Sequence, residues 1–351
     1  MALQDLWAIE MIIAAFAGGA FGAALGALPA FIFTGFMVIA GEAANLASKS
    51  IGEVVGADPA TLGSVGITGS IAFGAPFSPA ISFAGGAAAA AYAANRGYME
   101  SGFDYHNAKD IGFALGSKPD VLAVGGIFGI IGYWLTILSS TFSMPYDPIA
   151  MGVTLSALIH RVAFGYDIVG KVRGDGILDM SPFERGQTRG GAVADGGESA
   201  RLSVEPWLPN MYKWNEVAAI GAVAGIMGAF IALITGSAFL AFGISAASLF
   251  FLNLGVERIP VTHHMTLPAS TAALAWTSGA AELGVVALLF GALFGLICGL
   301  FGEAFQRVFY AHGDTHWDPP AAAIVFGTFL VAVLAIAGVL PSSAWVPTLG
   351  L

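Results

Sequence analysis

Two proline-marked segments hold the residues best placed for chemistry. Residues 65–95 are apolar but interrupted by Gly74-Ala75-Pro76-Phe77-Ser78-Pro79, and residues 256–279 carry Thr266-Leu267-Pro268 in a similar setting. A proline inside a helix removes one hydrogen bond and clashes with the preceding turn. Unwound backbone at membrane depth persists only where protein buries it or where it lines a wet cavity, and its free N–H and C=O ends bind ions and carboxylates. One predicted substrate-binding tip therefore comprises Ser78, Pro79, Ala80 and Ser82. The other comprises Thr266, Pro268, Ala269, Ser270 and Thr271. The plainer alternative is a pair of packing kinks whose hydroxyls bond back to the preceding turn.

His263 and His264 stand just before the second tip, where imidazoles with an ordinary pKa of ~6.5 can relay protons. The alternative is a solvated loop pair, and the first half has Gly74 and Ala75 at that place. Glu42, inside the apolar run 39–45, is a third proton-coupling candidate. A carboxylate costs roughly 2.5 kcal/mol or more at the bilayer centre and less near its edge, where a structural role would place it. His312, Asp314 and His316 alternate in a loop and are weak metal candidates by ligand type alone. Asp318, before Pro319, and Asp147, before Pro148, read as helix N-caps. The sequence has no Gly-Lys-Ser/Thr phosphate loop, no Cys-x-x-Cys and no Gly-x-Ser-x-Gly elbow. No cofactor and no enzymatic reaction are expected.

The elements that must position these residues are membrane spans. The chain is 57% apolar and 10% charged with a mean hydropathy of +0.80, against roughly 25% charged for a soluble protein. At ~20 residues per crossing there is room for about eight to ten spans. Met1-Ala2-Leu3-Gln4-Asp5 has no basic n-region, so the first apolar stretch is expected to be a permanent span. Cys298 is the single cysteine, which excludes an internal disulfide. The net charge of −10, carried mostly in loops, argues against nucleic acid or anionic lipid as partners and matches a halophile-like acidic surface.

Residues 7–47 read as two spans or as a hairpin with Pro29 at its tip, followed by a polar loop from Lys49 to Gly63 with a helix start at Asp58-Pro59. Spans are predicted at 121–142 and 148–165, then a polar stretch at 166–215 whose part 186–197 reads as flexible. Apolar residues resume at 217–255, and further spans are predicted at 281–301 and 320–338. The restart is a repeat. Gly22-Ala23 with Phe33 and Phe36 matches Gly228-Ala229 with Phe239 and Phe242, Pro79-Ala80 matches Pro268-Ala269, and Tyr146-Asp147-Pro148 matches Trp317-Asp318-Pro319. The expected fold is an all-α polytopic membrane protein with two internal repeats of four to five membrane segments. Each has a Pro-broken discontinuous or re-entrant segment. The divisions are 1–165, a cytoplasmic polar linker at 166–215, and 216–351. Four segments per half make parallel repeats and five make inverted ones. Either way twelve of the thirteen Lys and Arg residues fall on the linker side, which assigns that side to the cytoplasm.

The stretch 18–39 with Leu28-Pro29, then Asp58-Pro59-Ala60, Phe73-Gly74, Gly86-Ala87-Ala88, Gly97-Tyr98-Met99 and Ala114-Leu115-Gly116, resembles the large permease subunit of the tripartite tricarboxylate transporters over about a third of the chain. Ala30 and Ile32 stand where that family has glycines, and Gly85 and Ala87 replace the proline and carboxylate of its Pro-Gly-Glu-Ala turn. The resemblance implies an inverted-repeat transporter with broken helices meeting near the midplane, and favours five segments per half. The segments 77–82 and 266–269 also look like the paired half-helices of aquaporin-type channels, without their asparagines.

The leading expectation is a multi-pass plasma-membrane secondary transporter of a small, anionic organic solute, its path lying between the two broken segments. The alternatives are a passive channel for a small neutral solute and a non-transporting membrane anchor or assembly subunit. Expected partners are the lipid bilayer, the solute, and a further copy or an accessory membrane subunit.

Overall fold

Gly26 decides how the first apolar block divides. Its φ of +94° is a conformation open to glycine, and it separates α1 (Ile9–Leu25) from α2 (Ala27–Val55). Pro29 falls in the first turn of α2, where its missing N–H costs nothing. The helix continues through Lys49 to Val55, where a polar loop is expected. Nothing there breaks a helix until Gly56, at φ +65°, donates its N–H to the Gly52 carbonyl. The computed structural model describes residues 3–56, 66–189 and 201–351. The expected helix start at Asp58-Pro59 and most of the expected flexible part of the linker lie outside these residues.

The two proline-marked segments fold differently. The first has a π-helical turn, Ile67–Ala72, a non-helical stretch at 73–78, a second π-helical turn, Pro79–Phe83, and then α3 (Ala84–Asn95). It runs antiparallel to α2, with Thr68 beside Gly41, the Thr34 hydroxyl donating to the Phe77 carbonyl at 2.6 Å, and Gly86 against Ala27. The second segment does not break at Pro268, because α9 (His263–Trp276) passes through it. The Pro268 ring lies against Gly327 and Cys298, where glycine leaves the room a side chain would take.

The remaining α-helices among the described residues are α4 (Pro119–Thr141), α5 (Pro148–Phe164), the single turn α6 (Ser181–Glu184), α7 (Trp214–Thr235), α8 (Leu240–Asn253), α10 (Val285–Phe309) and α11 (Pro319–Ile336). No β-strand occurs among the described residues; Thr188 and Leu202 form an isolated bridge. Helix α10 runs past its predicted end at 301 because its last turns are satisfied internally. Arg307 donates to Glu303 at 2.6 Å and to the carbonyls of Leu178 and Tyr212.

Close backbone contact sets the packing. Helices α1 and α4 run antiparallel with Gly19 between Gly125 and Gly129, and α7 and α10 do the same with Gly225 between Gly291 and Gly295. Helix α2 crosses α8 where Gly35 meets Ala246 and Ala247 and where Gly243 meets Val38. Helix α5 lies on α11, the Asp147 N–H donating to Thr328 Oγ1 at 2.9 Å. Among the described residues five helices, α2, α4, α7, α10 and α11, are long and apolar enough to cross a membrane; α1, α5 and α8 are shorter apolar helices. Large side chains on the outside, among them Val223, Phe230, Leu289 and Phe329, are apolar and exposed. The chain fits a multi-pass membrane protein surrounded by lipid.

Part of the described linker packs closely, while most of 166–189 is exposed or half-buried. Val204 and Glu205 are wholly buried, and the backbone pairs Arg189 with Arg201 at 2.9 Å and Ser203 with Gln187 at 2.7 Å.

Candidate solute cavity

Helices from both ends of the chain enclose a cavity of about 930 Å³. Its walls include Phe31 of α2, Ile149 of α5, Phe242 of α8, Leu267 of α9 and Ile324 of α11. Aromatic rings form a continuous surface on it: Phe73 lies 5.3 Å from Phe239 and 6.0 Å from Phe242, and Phe239 lies 5.1 Å from Trp345. Its ionisable lining comprises Asp104, Lys109, Asp110, Asp147, His263, Tyr105, Tyr310, His316 and Asp318.

Of the substrate, proton-coupling and metal candidates read from the sequence, Pro79, His263 and His316 line the cavity. Ser78, Ala80, Ser82, Thr266, Pro268, Ala269, Ser270, Thr271 and His264 are buried without being part of its lining. Four of the hydroxyls are bonded to backbone: Ser82 donates to the Ser78 carbonyl, Thr266 to His263, Ser270 to Gly228 and Thr271 to Leu267. Pro79 faces the cavity while Pro268 packs on α10 and α11, so the two prolines do not frame one opening symmetrically.

The His263 ring lies 4.7 Å from Phe31 and 5.9 Å from Phe242, and among the described residues no hydrogen bond reaches either of its ring nitrogens. His264 stacks edge-on with Trp207 at 5.9 Å. Glu42 is away from the cavity lining. It accepts from Thr68 at 2.7 Å, Asn45 at 3.2 Å and Ser237 at 2.5 Å, and the Ser237 hydroxyl in turn caps the N–H of Leu240. This carboxylate joins α2 to the turn at 67–72 and to the start of α8. The weak metal candidates do not converge. His312 meets the Ile177 carbonyl, Asp314 pairs with Arg201 and Arg189, and His316 meets Asp318. Among the described residues no group of three or more His, Cys, Asp or Glu could hold a metal ion.

The residues that sequence reasoning missed form a buried ionic node on the linker side. Lys109 Nζ donates to Glu205 Oε2 at 2.7 Å and to the Tyr310 carbonyl at 2.8 Å, and sits 4.4 Å from the Tyr310 ring. Arg201 binds both Glu205 and Asp314. Burial pushes the Lys109 amine down to about 7, against the opposing pull of Glu205. Burial works to raise the carboxyls of Glu205 and Asp314, and the adjacent cations overcome it and hold both below their ordinary values. The node ties the loop at 96–118, the linker and the loop at 310–318 together. Lys109 and Glu205 are 96 positions apart, and no spacing pattern links them.

Asp147 and Asp318 cap α5 and α11 as their position before proline predicts. Asp147 Oδ1 accepts from the N–H groups of Ile149 and Ala150, and Asp318 Oδ2 accepts from Ala321. Both also line the cavity, a second position the cap pattern does not reveal.

The chain matches over residues 1–349 the family described as a family of unknown function, DUF7973, and belongs to it. No curated protein and no solved structure matches the chain.

Proposed function

We propose that this member of DUF7973 is a plasma-membrane permease, not an enzyme, that moves a small organic solute through the cavity between two inverted five-segment repeats. The observation that carries this reading is the cavity itself, walled by helices of both halves and large enough for an organic molecule. Sites of this kind lie at the repeat interface in inverted-repeat transporters.

The packing supports the repeat. Gly19 and Gly22 correspond to Gly225 and Gly228, Gly125 and Gly129 to Gly291 and Gly295, and the Asp147 cap to the Asp318 cap; each set makes the matching contact in its own half. In the first half α1, α2, the 67–95 segment, α4 and α5 alternate in direction. An odd number of passes brings the second half in from the opposite face, with the linker in the cytoplasm and Lys49 alone among the basic residues on the other side. The ionic node bonds three loops together at the linker-side wall, which favours a carrier that opens one side at a time over a continuously open channel.

Uptake into proteoliposomes tests the reading. A panel of radiolabelled small organic solutes should include at least one that enters saturably. Leu28→Trp, which fills part of the cavity, should reduce that uptake by about tenfold or more without changing yield or unfolding temperature. Uptake no faster than in protein-free vesicles, for every solute in a panel spanning cations, anions and neutral molecules, would contradict it.

A further inference from the structure

Resting on that reading, we propose that the cavity takes an organic cation with an apolar body, its charged head held at Asp147 and its body against the Phe73–Phe239–Trp345 surface. Asp147 is more than nine-tenths buried and lines the cavity. Its Oδ1 carries both cap bonds, and among the described residues its Oδ2 receives no donor and no cation pairs with it. A buried carboxylate without a counter-charge is costly, so such groups are paired or coordinate a cation. The corresponding Asp318 is already satisfied, by His316 at 3.1 Å and Ala321 at 2.8 Å. The unmatched charge therefore belongs to one defined place in the cavity.

The rest of the lining has the same sign. Asp104, Asp110, Asp147 and Asp318 face one amine, Lys109, which is committed to Glu205. The helix N-termini of α5 and α11, which would otherwise attract an anion, are filled by the chain's own carboxylates. The sequence-level expectation of an anionic solute gives way on these grounds. Aromatic faces beside a carboxylate attract ammonium and guanidinium groups through the ring quadrupole, and the attraction grows when the site is desolvated. A cavity of about 930 Å³ is far larger than a bare metal ion needs, and its largely apolar wall offers such an ion few oxygens.

Binding of three probes of similar size to the full chain in lipid nanodiscs, measured calorimetrically, tests this. They are benzyltrimethylammonium, benzyl alcohol and phenylacetate. The cation should bind about tenfold more tightly than either of the others, and Asp147→Asn should reduce its affinity to that of the alcohol. Asparagine caps helices as well as aspartate does, so the variant should keep its unfolding temperature; if it does not fold, the order of the three affinities in the unaltered protein still decides. Tighter binding of phenylacetate or benzyl alcohol would overturn the cation assignment and leave the permease reading standing. Cation binding indifferent to Asp147→Asn would overturn it, as would an Asp147-dependent response to sodium chloride alone with no binding of the ammonium. Failure of all three probes to bind would overturn the cation assignment, while the permease reading stands or falls on the uptake panel.

Discussion

Glu205→Gln is expected to lower the stability of the linker side by about 3–5 kcal/mol, the usual consequence of removing one partner of a buried ion pair. Lys109 and Glu205 are both fully buried, and the substitution leaves the Lys109 amine with the Tyr310 carbonyl and ring as its near partners. Hydrogen exchange should rise in residues 96–118 and 310–318 well before it rises in α7 or α10. Replacing the pair together, Lys109→Met with Glu205→Leu, should restore most of the loss, since well-packed apolar residues often replace a buried pair without penalty.

The pH dependence has two parts with opposite groups responsible. Glu205 and Asp314 have folded values below their ordinary 4.5 and 3.8. Their contribution is complete above those ordinary values and is lost as pH falls through the depressed folded ones. Lys109 has a folded value of about 7 against an ordinary 10.5. Between those limits the unfolded chain binds more protons than the native one, so stability rises with pH across that window. Unfolding temperatures between pH 3 and 10 check both parts. Glu205→Gln should weaken the acid transition, and Lys109→Met should abolish the alkaline rise. An unchanged profile in both variants would remove the node from the account.

Gly225→Leu is expected to be at least as damaging. A Cβ at Gly225 would lie 2.1 Å from the Gly291 carbonyl oxygen and 3.1 Å from the Gly295 Cα. These are backbone atoms of α10, so the contact cannot be relieved by a side-chain rotation. Helices α7 and α10 must separate, and inside lipid no hydrophobic force compensates for lost helix–helix packing. A loss of about 3 kcal/mol or more follows from overpacking alone. Gly176→Ala, where a Cβ meets nothing within 4 Å, should stay within about 0.5 kcal/mol. Thermal unfolding in detergent and the yield of monodisperse protein distinguish the two.

Span positions were readable because lipid imposes one strong constraint, a long run of apolar residues. Asp147-Pro148 and Asp318-Pro319 gave the starts of α5 and α11 directly, since an N-cap followed by proline has few other uses. Helix ends were less legible. Val55 lies beyond its apolar run because nothing breaks the helix before Gly56, and Phe309 because Arg307 bonds Glu303 within the helix and the Leu178 and Tyr212 carbonyls of distant segments. Pro268 read as a break but sits inside α9, where Gly327 makes space for its ring. That accommodation depends on a contact across helices and leaves no local mark. The Ser82, Thr266, Ser270 and Thr271 hydroxyls predicted to face a solute are bonded to backbone instead, and the cavity is walled by aliphatic and aromatic residues that single-chain patterns assign to packing. Asp147 was visible as a cap, and its place on the cavity wall emerges only when α5 lies beside α11.

Access to the cavity from water is the most direct test of its role as a solute path. Val153 is buried on the cavity wall in α5, and Cys298, buried among α9, α10 and α11, can be replaced by alanine to leave one thiol. A Val153→Cys chain in oriented vesicles should react with a small, membrane-impermeant thiol reagent from one face, and a transported solute should protect it. No reaction from either face, under conditions where a cysteine placed at the exposed Asp175 reacts from its own side, would mean a sealed void and contradict the account.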